Sequence, residues 1–136
     1  MQFNSRDAIY LQVIEEFRKQ LVSDKLRLGE ELHSRREIAR QLNINPNTVQ
    51  RAFSEMEALN WIFTEPNRPS RVTVDPTIIH QVKREFVERA IHDFVTSIRT
   101  IDISYQEAVE LLDKEMNTQK KENGGKTDLW KSTLLQ

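Results

Sequence analysis

The chain has 136 residues, 38% of them hydrophobic and 30% charged, with a net charge of −1, three glycines, four prolines and no cysteine. Such a length holds one compact domain with an appendage, and the composition is that of a foldable chain. It excludes a disulfide framework and a thiolate metal site, and no apolar run approaches the ~20 residues needed to span a bilayer. Met1-Gln2-Phe3-Asn4-Ser5 lacks the basic and apolar regions of a signal peptide, so a cytoplasmic protein with no membrane partner is expected.

Ile9, Val13, Phe17 and Leu21 recur at helical spacing beside Tyr10 and Ile14, predicting a first helix over 7–22 with Asp7 as its cap. Asp24 to Gly29 reads as a connecting turn, with Gly29 free to adopt a backbone conformation closed to other residues. Ser34-Arg35-Arg36-Glu37 is a capping box, which starts a second helix that runs to about Leu42. Asn45-Pro46 opens a third, because Asn45 can accept from the free first-turn amides and Pro46 has no amide to leave unpaired. Val49, Ala52, Phe53, Met56 and Leu59 form its apolar stripe, and Asn60 suits the left-handed residue that ends it. Trp61–Thr64 and Arg71–Val74 are β-prone runs around a loop rich in proline and polar residues, hence a hairpin with Trp61 in its base.

Asp75-Pro76 repeats the cap-plus-proline start for a long helix to about Thr100, and Ser104-Tyr105-Gln106-Glu107 starts a fifth. Beyond Asn117 the chain turns polar, with Trp130 and Leu134-Leu135 near its end. The fold class expected is mainly α with a small β-hairpin: a winged helix-turn-helix over 1–75 and a helical dimerisation region with a polar tail over 76–136.

Charge is nearly balanced overall but not locally. Between Ser34 and Arg51 four arginines face only Glu37, and Arg68 and Arg71 stand in the hairpin loop without an acid from Pro66 to Val74. A local basic surface is what phosphate binding requires. Helix, helix, short turn, helix, hairpin is the order of a winged helix-turn-helix, whose third helix enters the major groove. The candidate DNA-binding residues are Arg35, Arg36, Asn45, Asn47, Thr48, Gln50, Arg51, Arg68 and Arg71. An amide side chain can pair doubly with adenine and an arginine with guanine. Arg40 is the weakest basic candidate, since it can pair with nearby acids instead.

Ile9–Ile14, Leu32–Ala39 and Leu42–Phe53 resemble the three signature segments of GntR-family repressors, and the short two-helix tail resembles the YtrA subfamily. The resemblance implies a homodimeric repressor bound to palindromic double-stranded operator DNA, often controlling its own operon or one that encodes an ABC transporter. It implies DNA contact at Arg36, Asn47, Thr48, Gln50 and Arg68. Three positions depart from the family pattern: His33 replaces a proline, Asn60 a glycine, and Asn67-Arg68-Pro69 the Gly-x-Gly of the wing tip. Asn60 can take the left-handed shape, whereas the wing tip is bulkier and stiffer.

The fourth and fifth helices carry more apolar residues than two helices can cover. Ile79, Val82, Phe86, Ala90, Phe94, Ile98, Val109 and Leu112 are therefore expected at a homodimer interface. His80 and His92 lie about 18 Å apart along one helix by its 1.5 Å rise, too far to share an ion, so no metal is expected. No glycine-rich phosphate loop, paired-histidine motif or Ser-His-Asp grouping is present, so neither enzyme activity nor a cofactor is expected. The alternative is an interaction module that has lost DNA binding. The sequence names no small-molecule inducer, and a helix pair occupied by a partner has little room to enclose one.

Overall fold

The computed structural model describes residues 2–122 and 133–135. Its elements run α1 (Ile9–Val22), α2 (Arg35–Leu42), α3 (Pro46–Ala58), β1 (Ile62–Phe63), β2 (Arg71–Val72), α4 (Pro76–Ile98) and α5 (Tyr105–Glu122). Contacts divide the chain into two compact units, with a boundary after Phe86. The expected boundary at 75/76 thus lies inside the first unit, because the start of α4 belongs to the core of the winged head.

In α1, Val13, Ile14, Phe17 and Leu21 turn inward. Ile9, on the same row, stays 39% exposed because it lies at the free end of the helix. Asp7 does not cap this helix: the N-cap is Ala8, with no side-chain bond. The short Asn4 side chain instead accepts from the Arg6 and Asp7 amides, each at 3.0 Å.

The caps of the next two helices follow from their residues. The Glu37 amide donates to Ser34 Oγ at 3.1 Å. Asn43, at φ 55° and ψ 49°, ends α2 in the left-handed region that asparagine tolerates. Asn45 Oδ1 accepts from the Asn47 amide at 2.8 Å, with Pro46 in the first turn of α3. Only residues 43–45 separate the two helices. Val49, Ala52, Phe53 and Met56 bury the inner face of α3, which packs on α1 and α2. Leu59 is 47% exposed, since the helix ends at Ala58 before the stripe returns to the core. Asn60 follows at φ 62°, as its side-chain chemistry predicts.

β1 and β2 pair antiparallel with Ile62 opposite Val72 and Phe63 opposite Arg71. Glu31 bridges to Arg71 on the other side, so the chain entering α2 extends the wing sheet. Gly29 sits at φ 77° with its amide between the Val72 and Thr73 carbonyls, at 3.1 and 3.2 Å. Trp61 is buried at the hairpin base, stacked at 6.4 Å on Phe17.

The apolar end of the tail packs into the head. Leu134 is 1% exposed within the head's hydrophobic core, the His33 amide donates to its carbonyl at 2.8 Å, and Leu135 bridges to Leu32. Its apolar side chain completes a core that the first 86 residues leave open. Trp130 and most of the expected polar tail lie outside the described residues.

At the start of α4, Asp75 Oδ1 accepts from the Thr77 hydroxyl at 2.7 Å and the Thr77 amide at 2.9 Å. Those two bonds hold the Asp75 carboxyl below its ordinary pKa, the hydroxyl contributing most. Val82 is buried in the head's core and Ile79 packs against it, so both leave the set of expected interface residues. Lys83 pairs with Asp24 at 2.6 Å. In the second unit, α5 starts as its capping box predicts, with the Glu107 amide on Ser104 Oγ at 3.1 Å. It continues past Asn117 to Glu122 because the following residues are good helix formers. Among the described residues, no helix is long and apolar enough to cross a membrane.

Candidate nucleic-acid interface

The surface that can meet DNA is built by the exposed outer face of α3, the first turn of α2 and the wing. The α3 stripe fixes the rotation of the helix: with Val49, Ala52 and Phe53 inward, Asn47, Gln50 and Arg51 must face out. Thr48 is half-buried at the edge of this face, and Arg36 and Arg68 are exposed. Among the described residues, neither Arg36 nor Arg68 forms an ion pair, so both guanidinium groups are available to phosphates. The wing tip turns through Asn67 at φ 60°, and the Arg68 amide closes the turn on the Glu65 carbonyl at 3.1 Å.

The other candidates divide by what already holds them. Asn45 spends its side-chain oxygen on the helix cap, leaving only its amide NH2 to donate outward. The Arg51 guanidinium lies 3.9 Å from the ring centroid of Tyr10, a cation–π contact that keeps it beside the first turn of α3. Arg35 is not a free cation. It donates to Gln50 Oε1 at 2.5 Å, pairs with Glu57, and lies 5.0 Å over the Phe53 ring. Arg71 is likewise engaged, paired with Glu31 and donating to the Gly29 carbonyl at 2.9 Å. It fastens the wing sheet to the segment before α2, so its guanidinium already has protein acceptors.

Arg40 pairs with Glu37 through two bonds of 2.6 and 2.9 Å. The Arg40 bonds come first among the causes that hold the Glu37 carboxyl down at about 2, followed by the Gln41 amide. The pair neutralises one of the four local arginines. With Arg35 also paired to Glu57, the positive surface is narrower than the sequence count implied.

Stability and salt dependence separate these roles. Arg71→Met should lower head stability by about 1 kcal/mol, as expected for a half-exposed pair, and leave the salt slope of DNA binding unchanged. Arg36→Ala should leave the melting temperature unchanged and reduce the salt slope by about one unit. Melting curves and binding titrations from 50 to 200 mM salt read both effects. An Arg71 variant with normal stability and a reduced slope would return Arg71 to the DNA surface.

Sequence reasoning did not find Glu57, Thr64, Ser70 or Tyr10 as supports of this surface. Glu57 accepts from the Thr64 hydroxyl at 3.2 Å, and Thr64 and Ser70 share a hydroxyl contact of 2.6 Å at the wing base. Arg35 and Glu57 are 22 positions apart, on different helices, and no periodicity links them. Tyr10 carried a weak signal as an amphipathic residue on the edge of the α1 stripe.

A helix presented on a tri-helical head, flanked by a basic hairpin, defines a winged-helix DNA-binding regulator of transcription. Residues 9–72 match the family described as bacterial regulatory proteins, gntR family. The chain is 32% identical over 109 residues to the HTH-type transcriptional regulator YhcF of Bacillus subtilis (strain 168), covering 80% of this chain and 90% of that protein. This chain belongs to the GntR family of transcription regulators, which are not enzymes. Its fold is similar to that of a GntR family transcriptional regulator from Listeria monocytogenes, with TM-score 0.76, 26% identity, and coverage of 82% of this chain and 98% of that one. A transcriptional regulator from Oenococcus oeni superposes with TM-score 0.69 at 26% identity, over 85% of this chain and 97% of the other.

Proposed function

We propose that the protein is a homodimeric repressor that reads a palindromic operator with Asn47, Thr48 and Gln50, while Arg36, Arg51 and Arg68 grip phosphates. The observation that carries this reading is the exposed Asn47, Gln50 and Arg51 on the outer face of α3, beside cations with no ion-pair partner among the described residues. Half-sites lie about one turn (~10 base pairs) apart, matching a two-fold axis. The two-fold is supplied by α4 and α5. Phe86, Phe94, Val109 and Leu112 are all 36–46% exposed in the single chain, which is costly unless a second copy covers them. Ala90 and Ile98 share this helix face, Ile98 already half-covered. The resemblance to YtrA-like repressors extends the reading to regulation of its own operon, of the kind that encodes an ABC transporter.

A mobility shift with DNA from upstream of its own gene tests the reading. The wild type should bind with a steep salt dependence, and the Asn47→Ala/Gln50→Ala protein should lose roughly 1–3 kcal/mol per base-reading amide, with relaxed sequence preference. Equal affinity and equal preference in the double variant would place the reading face elsewhere. No salt-dependent binding to any duplex would favour an interaction module instead.

A further inference from the structure

The side chain of Gln50 has two chemically opposite ends, and the structure commits one of them. A guanidinium can only donate hydrogen bonds, so the end that meets Arg35 at 2.5 Å must be the Gln50 carbonyl oxygen. Arg35 is itself held on its other side by Glu57 and from below by the Phe53 ring. Glu57 in turn accepts from Thr64, which meets Ser70 at the root of the wing. The Gln50 oxygen is therefore fixed by a chain of contacts running from α2 through α3 to the wing. What remains for the groove is the Gln50 NH2, whose only hydrogen bond among the described residues is a marginal 3.5 Å approach to Ser54 Oγ.

We propose that Arg35 is a specificity-positioning residue that turns Gln50 into a donor-only reader, selecting guanine rather than adenine at its base pair. This rests on the base-reading function assigned to α3 above. A free glutamine pairs doubly with adenine by donating to N7 and accepting from N6. With its oxygen turned to Arg35, which takes one of its two lone pairs, the Gln50 amide presents its two N–H groups to the groove, and at adenine one of them meets the N6 donor. Guanine presents N7 and O6 side by side, both acceptors, and suits the two N–H groups; cytosine presents only the N4 donor. Arg35 thus contributes to sequence choice without needing to touch a base.

Selection from a randomised duplex library by the full-length protein, followed by sequencing, tests this. The wild type should enrich guanine at one position per half-site by on the order of tenfold over adenine, and Gln50→Ala should abolish enrichment at that position alone. Arg35→Met keeps the packing on Phe53 but removes the donor, so the same position should shift toward adenine. Gln50→Glu, at an exposed site that does not threaten folding, should retain the Arg35 contact, offer an acceptor instead, and move the preference to cytosine. Adenine enriched by the wild type at the Gln50-dependent position overturns the inference, as does a preference unchanged in Gln50→Glu. A wild type that enriches no sequence at all overturns the base-reading function itself, a result distinct from either.

Discussion

On the homodimer proposed above, Phe94→Glu should yield a monomer and lower affinity for a two-half-site operator by roughly 10²–10⁴-fold, the contribution that simultaneous engagement of two heads makes. Phe94 is 42% exposed on α4, on the turn-by-turn row that includes Phe86 and Ala90. A carboxylate there would be buried without a partner, and the two-fold would bring a second one towards it. Sedimentation velocity at micromolar concentration reads the assembly, and titration against one and two half-sites reads the coupling. The single head should keep its affinity for an isolated half-site, because Phe94 lies in the second unit and the reading face in the first. A wild-type protein that sediments as a monomer, or a Phe94→Glu protein that remains a dimer, would remove α4 from the interface.

Leu134→Ala lowers the stability of the winged head by about 2–5 kcal/mol, the cost of emptying a fully buried leucine site. Leu134 is buried in the core cluster, its carbonyl accepts from the His33 amide one residue before the α2 cap, and the next residue, Leu135, bridges to Leu32. Its loss should drop the melting temperature by on the order of 10 °C. Circular dichroism melts compare the variant with wild type and with Leu135→Ala, whose side chain is only half-buried and should cost less. A Leu134→Ala protein that melts within a degree of wild type would show that residues 133–135 contribute nothing to the head. The variant also has a functional reading: a loosened 31–33 segment shifts the first turn of α2, where Arg36 stands.

Much of this molecule was legible before any coordinates. Helix starts at Ser34, Asn45, Asp75 and Ser104 were written in local chemistry, since a short polar side chain satisfies amides two or three residues away whatever the rest of the chain does. The rotation of α3 followed from its apolar period, and with it the outward placement of Asn47, Gln50 and Arg51. Gly29 and Asn60 announced their left-handed backbones by residue type.

What the tertiary structure alone decided concerns pairs of residues far apart in the chain. Arginine is equally suited to a phosphate and to a carboxylate, so composition could not distinguish Arg36 and Arg68, without an ion pair among the described residues, from Arg35 and Arg71, engaged by Glu57 and Glu31. The same holds for apolar residues. Val82 and Phe86 lie one helical turn apart on a single stripe, yet one is buried in its own head and the other exposed, because the periodicity of a helix tells which side is apolar but not what covers it. Leu134 had no period to betray it, standing in a short apolar patch after a polar stretch, and only the fold brings it into the core with its carbonyl on the His33 amide. Local hydrogen bonds set where each element begins and which way it faces. Which cation is free, and which stripe is core, is settled by long-range contacts, since the same side-chain chemistry serves both ends.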